Sequence, residues 1–279
     1  MTVEAAVALY RRQFVAAFEQ RTTALKATTT KETMSNGLTC TWLVAGSGTD
    51  TAVTRGVNGQ IPYGNPTNTQ VTGTLVERHA PYEMTGFNIF ASQGDQKQIM
   101  QMASMSVINR DIEDEILGIL ATATNTTGTA STASFAQVMK ARSILGRNDV
   151  DLSNINDVFG VISPAYQAYI MQTTEASSYD YVDMKPLAGP AVKMWRWAGV
   201  NWHVSNRVSG VGTNAEKCFV YHRNAIGYAC NVGEEKIAIG YDDKQDTSWS
   251  RATIYHDAVL LQNKGVVVIN HDGSAYEAS

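Results

Sequence analysis

The sequence predicts an α+β fold built around one long helix, with a long extended excursion leading into it. Three observations point there. Residues 46 to 90 carry strand chemistry interrupted by turns, and residues 93 to 123 carry one unbroken helical pattern. Beyond residue 157, short apolar runs alternate with turn residues, first mixed with helix and then almost wholly strand-like.

The elements follow in order. Val3, Val7, Tyr10, Phe14, Phe18 and Leu25 recur at helical spacing, with Arg11, Arg12, Glu19 and Gln20 between them, which predicts an amphipathic helix over residues 3 to 25. A polar link at Thr28-Thr29-Thr30 leads to a short apolar strand, Leu38 to Val44, closed by Gly46. The excursion then offers Ala52-Val53-Thr54, Val71-Thr72, Thr74-Leu75-Val76 and Phe87-Asn88-Ile89-Phe90 as extended segments, broken by Gly48, Gly56, Gly59, Gly64, Pro62 and Pro66. It has few apolar side chains for its length. A two-stranded ribbon of that kind cannot bury enough surface to offset its ordering entropy, so it must lie on something else. Another subunit is the expected support.

Ser92 is the expected cap of the long helix, whose stripe is Ile108, Ile112, Ile116 and Leu120, with Met102, Met105 and Ile119 beside it. At 1.5 Å per residue it reads as a spine of roughly 45 Å. A small-residue tract, Ala121 to Ser134, precedes a second helix, Phe135 to Leu145, stopped by Gly146. Val158 to Ile162 is a buried strand; Ser163 caps and Pro164 opens the helix Ala165 to Met171. After an exposed loop at 173 to 191, Val192–Trp197 and Val200–Ser205 form a hairpin turning at Ala198-Gly199. Cys218 to Tyr221 is a strand and Ala225 to Tyr228 a helical turn. Arg251 to Leu261 and Val266 to Ile269 are the arms of a final hairpin, with Gly265 at a left-handed turn position.

Bulk composition narrows the function classes. Hydrophobic content of 44% with 17% charged residues describes an ordered protein with a weakly charged surface. A net charge of −4 and a pI near 5.7, with no Lys/Arg cluster beyond Arg11-Arg12, exclude a groove that grips nucleic acid by counterion release. Cys40, Cys218 and Cys230 are an odd count without a Cys-x-x-Cys pair, which predicts core thiols in a reducing compartment. The start Met1-Thr2-Val3-Glu4 has no basic region followed by an apolar run, and no stretch nears ~20 apolar residues. A soluble protein made in a cytoplasm is expected, with no membrane partner.

The search for chemistry finds no constellation. Ala45-Gly46-Ser47-Gly48 lacks the spacing of a nucleophile elbow, and Gly210-Val211-Gly212-Thr213 lacks the lysine of a phosphate loop; both read as turns. His79, His203, His222, His256 and His271 are dispersed and read as surface or strand residues. Arg110-Asp111-Ile112-Glu113-Asp114-Glu115 reads as a solvated helix face with an Arg110–Asp114 pair. Asp242, Asp243 and Asp246 lack the pattern of a calcium loop. Trp195 and Trp197 alternate onto one sheet face, which means core or subunit interface. No enzyme, cofactor or metal site is expected.

The order of elements resembles the major capsid proteins of tailed bacteriophages, the Hong Kong 97-type fold. The helix with Phe14, Gln20 and Leu25 looks like that family's N-arm, Gly46 to Phe90 like its extended loop, and Gln93 to Ala123, with Asn109 to Asp114, like its spine helix. Gly199 to Asn206 is similar to its strand ending in Ser-Asn, and Arg251 to Ile269 to its return into the peripheral domain. The likeness implies an N-arm at 1–34, an extended loop at 46–90, a peripheral domain from 35–45, 91–150 and 236–279, and an axial domain at 151–235. It implies a virion shell protein, assembled in the bacterial host's cytoplasm into hexamers and pentamers that close around double-stranded DNA, with a portal as partner. Some relatives cross-link a loop lysine, but no lysine stands between Lys31 and Lys97, and the N-arm is short. A non-covalent shell and a separate scaffolding protein are therefore expected. The expected inter-subunit contacts are Phe14, Arg55, Tyr63, Arg78, Trp195 and Trp197. The rival readings are an encapsulin-like compartment holding protein cargo, and a β-rich hydrolase or sugar-binding protein using the tryptophans.

Overall fold

The computed structural model of the protein describes residues 23–48, 50–91, 96–174, 195–233 and 235–276. A 3-10 turn, Leu25–Thr28, leads to β1 (Thr30–Met34), β2 (Thr39–Gly46), β3 (Thr67–Thr74) and β4 (Val76–Thr85). Helices α1 (Gly86–Ala91), α2 (Gln96–Leu120) and α3 (Phe135–Arg147) follow, then β5 (Val158–Ile162) and α4 (Pro164–Gln172). The remainder is β6 (Trp195–Trp197), β7 (Val200–Val204), β8 (Glu216–His222), β9 (Ile226–Asn231), β10 (Lys236–Asp242), β11 (Thr247–Leu260) and β12 (Val266–His271).

Two five-stranded sheets organise these elements. In the first, the 14-residue β11 is the axis: β4 pairs along one edge, while β10 and then β9 share the other, and β1 flanks β9. The second sheet runs β12-β8-β5-β7-β6. Helix α2 lies on the first sheet, because Ile108, Ile112, Ile116 and Leu120 fall on one helical stripe and all four are fully buried. They share a core with Ala252, Ile254 and Ala258 of β11 and with Phe159, Phe219 and Tyr221 of the second sheet. On the second sheet's other face, α3 and α4 cover Val158, Ile162, Cys218, Val220 and Val267. The second sheet is thus buried on both sides, which is why β5 is apolar at every position.

Local signals hold where backbone chemistry decides them. The Ser163 hydroxyl accepts the Tyr166 N–H at 3.0 Å and Pro164 opens α4. Ala198 and Gly199 both lie at positive φ, 52° and 70°, the geometry of a two-residue hairpin turn between β6 and β7. The spine is 25 residues long, roughly 37 Å at helical rise. Its expected cap, Ser92, and the expected N-terminal helix lie outside the described residues, except that Leu25 is buried in a 3-10 turn.

Three expectations are corrected. Phe87 to Phe90 is helical, because β11 begins opposite Thr85 and leaves no ladder partner beyond it, while the Thr85 hydroxyl accepts the Asn88 N–H. Residues 226 to 228 belong to β9, held by β1 and β11 on its two edges; the helical turn is Arg223–Ala225, capped by His222. The final hairpin does not form. Residues 263 to 265 make a 3-10 corner, Gly265 is not at positive φ, and β12 crosses to pair with β8. Val266 and Val268 face one core while Val267 and Ile269 face the other, a pattern suited to the doubly covered sheet. Of the dispersed histidines, His203, His256 and His271 are strand residues, on β7, β11 and β12, and are buried there. The first sheet draws β1, β4, β9, β10 and β11 from distant parts of the chain, and β12 joins the second.

If the spine stripe carries this core, Ile112→Ala lowers the stability of the unassembled subunit by about 2–5 kcal/mol. Met102→Ala, at a half-exposed position beside the stripe, costs far less. Chemical denaturation of both variants checks the contrast.

Candidate functional site

Among the described residues no group of three or more His, Cys, Asp or Glu could hold a metal. The three cysteines are free and buried, and burial pushes the Cys218 thiol up to about 12, away from any nucleophilic role. The features that remain are surfaces and the joints that position them.

The acidic run of α2 is one such joint. It is not a solvated face. Glu113 is buried and accepts a hydrogen bond from the Ser205 hydroxyl. Asp114 takes both ends of the Arg207 guanidinium instead of pairing with Arg110. Asp111 meets the buried His256 Nε2 at 2.9 Å and Arg78 at 3.5 Å, and Glu115 meets Arg78 at 3.6 Å. Five polar contacts from four acidic residues therefore tie the spine to β4 and β11 on one side and to the loop after β7 on the other. A helix turns 100° per residue, so a run of acids faces several elements at once.

The extended excursion divides into a root and a tip. At the root, β2 and β3 pair over eight residues, Thr39–Thr74 to Gly46–Thr67. Cys40, Trp42 and Leu75 are buried against Ala229, with Val259 and Leu261 beside them. Gly73 allows this close crossing: a Cβ there would stand 2.5 Å from Asp257 and 2.7 Å from Val259 of β11. The tip is different. Every described residue from 50 to 66 is exposed, with Tyr63 at 97% and Val53, Val57 and Ile61 also open to solvent. Its internal hydrogen bonding includes a tight turn, with the Gly56 N–H donating to the Gln60 carbonyl at 2.8 Å.

The predicted contact residues scatter accordingly. Arg55 and Tyr63 lie on the exposed tip. Arg78 finds its acids, Asp111 and Glu115, on the spine of its own chain, since β4 is a full member of the first sheet and not part of a free ribbon. Trp197 is a core residue, buried with Val200 and Trp202 and 5.6 Å ring to ring from Phe135. Phe14 and the side chain of Trp195 lie outside the described residues; the Trp195 backbone pairs with Trp202. Sequence reasoning missed Val57 and Ile61, whose isolation among glycines and prolines was the available signal. It also missed Ile237, Ile239 and Tyr241 on β10, whose alternation reads like a core strand.

An α2 spine lying on a twisted sheet, a second sheet wedged between helices, and a projecting ribbon together define a viral shell fold. The phage capsid protein family matches residues 3–273, and the chain belongs to that family. It is a major capsid protein, a structural component of the phage head and not an enzyme. The capsid of the cyanophage P-SCSP1u superposes with a TM-score of 0.71 at 12% identity, over 96% of this chain and 93% of that one. A chain of Mycobacterium phage Che8 gives 0.70 at 15% identity over 94% and 96%. The capsid of Ralstonia phage GP4 gives 0.67 at 11% identity over 98% of each. No curated protein matches the sequence. Identities this low carry the fold; the family match carries the class.

Two outcomes test the joints. Ser205→Ala leaves the buried Glu113 carboxylate short of a donor and costs about 1–3 kcal/mol of subunit stability by chemical denaturation, where a surface serine would cost almost nothing. The pH response has a definite sign as well. Burial lowers the affinity of His203 and His271 for protons below the ordinary value near 6.5. Above that value both folded and unfolded chains hold these groups neutral. Below it the unfolded chain takes up protons first, so subunit stability falls as pH drops from about 6.5 toward the lowered values. Melting temperatures across pH 7.5 to 5 should show that slope, flattened in His271→Gln.

Proposed function

We propose that this chain is the repeating unit of an icosahedral head, arranged in hexamers and pentamers around double-stranded DNA. The observation that carries the reading is the tip of the ribbon: Val53, Val57, Ile61 and Tyr63 are exposed on a segment that no other described residue covers. The root is anchored firmly enough to aim the tip, and the tip has apolar side chains to bury. A neighbouring subunit supplies that burial. Arg55 is the cation available there for an acidic group on the neighbour. Head-to-tail contact of this kind uses two different patches per subunit and closes into rings when the rotation permits.

The chain's mild acidity suits a container that must release its genome. With no lysine between Lys31 and Lys97, the ribbon supplies no amine for an amide cross-link, which supports a shell held without covalent bonds. A separate scaffolding protein and a portal complete the assembly, which takes place in the bacterial cytoplasm. An axial domain centred on β5 to β8, with β12 added, would surround the capsomer centre. The first sheet and α2 would form the periphery, and residues 1–34 the N-arm.

Particles purified after co-expression with scaffold should enclose DNA, and boiled denaturing gels should show one band near monomer mass. A covalent ladder mapping to the ribbon, or protein cargo in place of DNA, contradicts the proposal. Hydrogen exchange over residues 50 to 66 should be fast in the free subunit and strongly slowed in particles, while α2 is protected in both. Equal ribbon protection in both states would mean that it is supported within its own subunit.

A further inference from the structure

One edge of the first sheet is left open. β9 is flanked by β1, but that cover stops where Met34 faces Asn231 and the chain turns away at Gly37. β10 continues past it with β11 as its ladder partner on one side, and its outer edge is unpaired among the described residues. Ile237, Ile239 and Tyr241 alternate along this edge strand and are 45%, 54% and 55% exposed. They share the face of Ala252, Ser250 and Ser248, their partners across the ladder, where β11 itself is buried. An apolar open edge of seven residues is an association site unless charges, a proline or a bulge blunt it, and none interrupts its centre.

The occupant is written in the strand itself. Lys236-Ile237-Ala238-Ile239-Gly240-Tyr241-Asp242 is self-complementary about Ile239. Laid antiparallel on its own copy, it sets Lys236 opposite Asp242, Ile237 opposite Tyr241, Ala238 opposite Gly240, and Ile239 opposite itself. Both ends then pair opposite charges. The Asp242 carboxylate accepts the Lys244 N–H through one oxygen, which leaves the other to meet a lysine. The opposite face stays thin, because Gly240 sits beneath the Trp249 indole: a Cβ there would stand 2.4 Å from the ring. We propose that β10 pairs antiparallel with β10 of a second copy of this chain across a two-fold axis, in register about Ile239. The contact is isologous, so it joins subunits of different rings, whereas the ribbon joins subunits within one. It rests on the reading of this chain as a shell subunit and adds the seam between capsomers.

The test is a cysteine at the centre. Residues directly opposite in an antiparallel pair have Cα atoms about 4.5–5.5 Å apart, within reach of a disulfide, whereas the two copies of residue 236 would stand roughly 20 Å apart. Particles assembled from I239C and oxidised should give a dimer on non-reducing gels, K236C particles should not, and mixed K236C and D242C particles should. Normal particles without an I239C dimer, or with K236C dimers as abundant as I239C dimers, overturn the proposal. If I239C does not assemble, charge reversal decides: K236D and D242K should each lower particle yield several-fold, and K236D/D242K together should restore it. Absence of rescue overturns the pairing. If the wild-type chain forms no particles at all, the shell reading falls separately. Sedimentation of the free protein then decides the pairing, a dimer dissociated by K236D supporting it and a monomer at high concentration refuting it.

Discussion

The burial of one helical stripe against one long strand is the constraint on which the rest of the molecule depends. Ile108, Ile112, Ile116 and Leu120 of α2 face Ala252, Ile254 and Ala258 of β11, and both sheets contribute to the core around that contact. β11 is long enough to carry β4 along one edge and both β10 and β9 along the other. The far end of the same core takes Phe159, Phe219 and Tyr221 from the second sheet, so the two sheets share a single apolar interior. Small shifts in such an interior cannot be absorbed locally, because packed cores are dense and resist continuous deformation.

Polar contacts then orient what the apolar contact merely brings together. Glu113 to Ser205 and Asp114 to Arg207 hold the loop after β7 to the spine, and Asp111 with Glu115 hold β4 through Arg78. The exposed pairs among these contribute little each in water. The buried one matters more, since a polar group that loses a partner is costly inside a core. The result is a firm platform from which two surfaces project without a partner among the described residues: the ribbon tip around Tyr63 and the edge of β10. Both carry apolar side chains on thin, extended backbone. Such surfaces are stable on a lone subunit only as far as their roots are anchored, and Trp42, Cys40 and Leu75 provide that anchor for the ribbon.

Much of this was legible in the residues. The spine stripe, the Ser163-Pro164 helix start, the Ala198-Gly199 turn and the buried cysteines all follow from neighbours within a few positions, where propensity and periodicity act directly. The sequence marked the whole of residues 46 to 90 as poorly supported, because its apolar side chains are few for its length. The structure keeps that character for residues 50 to 66, whose few apolar side chains are exposed, while β4 joins the first sheet. What misled was any inference about distant partners. Val266 to Ile269 looked like the return arm of a hairpin, yet its apolar side chains on both faces suited the other sheet. Arg78 looked like a free cation on a ribbon, yet β4 pairs with β11 over ten positions and delivers it to the spine.

The sequence by itself determined many of the local conformations, the α+β class and the exposed, turn-rich character of residues 50 to 66. Only the tertiary structure decided sheet membership, the burial of Glu113, His203, His256 and His271, the core position of Trp197, and the open edge of β10. The physical reason is range. Hydrogen-bonded turns, caps and helical stripes are set by groups within one or two turns of chain. A strand's partner and a charge's counter-charge are chosen by which surfaces the whole fold leaves exposed, and a strand with two apolar faces is compatible with either sheet until the rest of the core is in place.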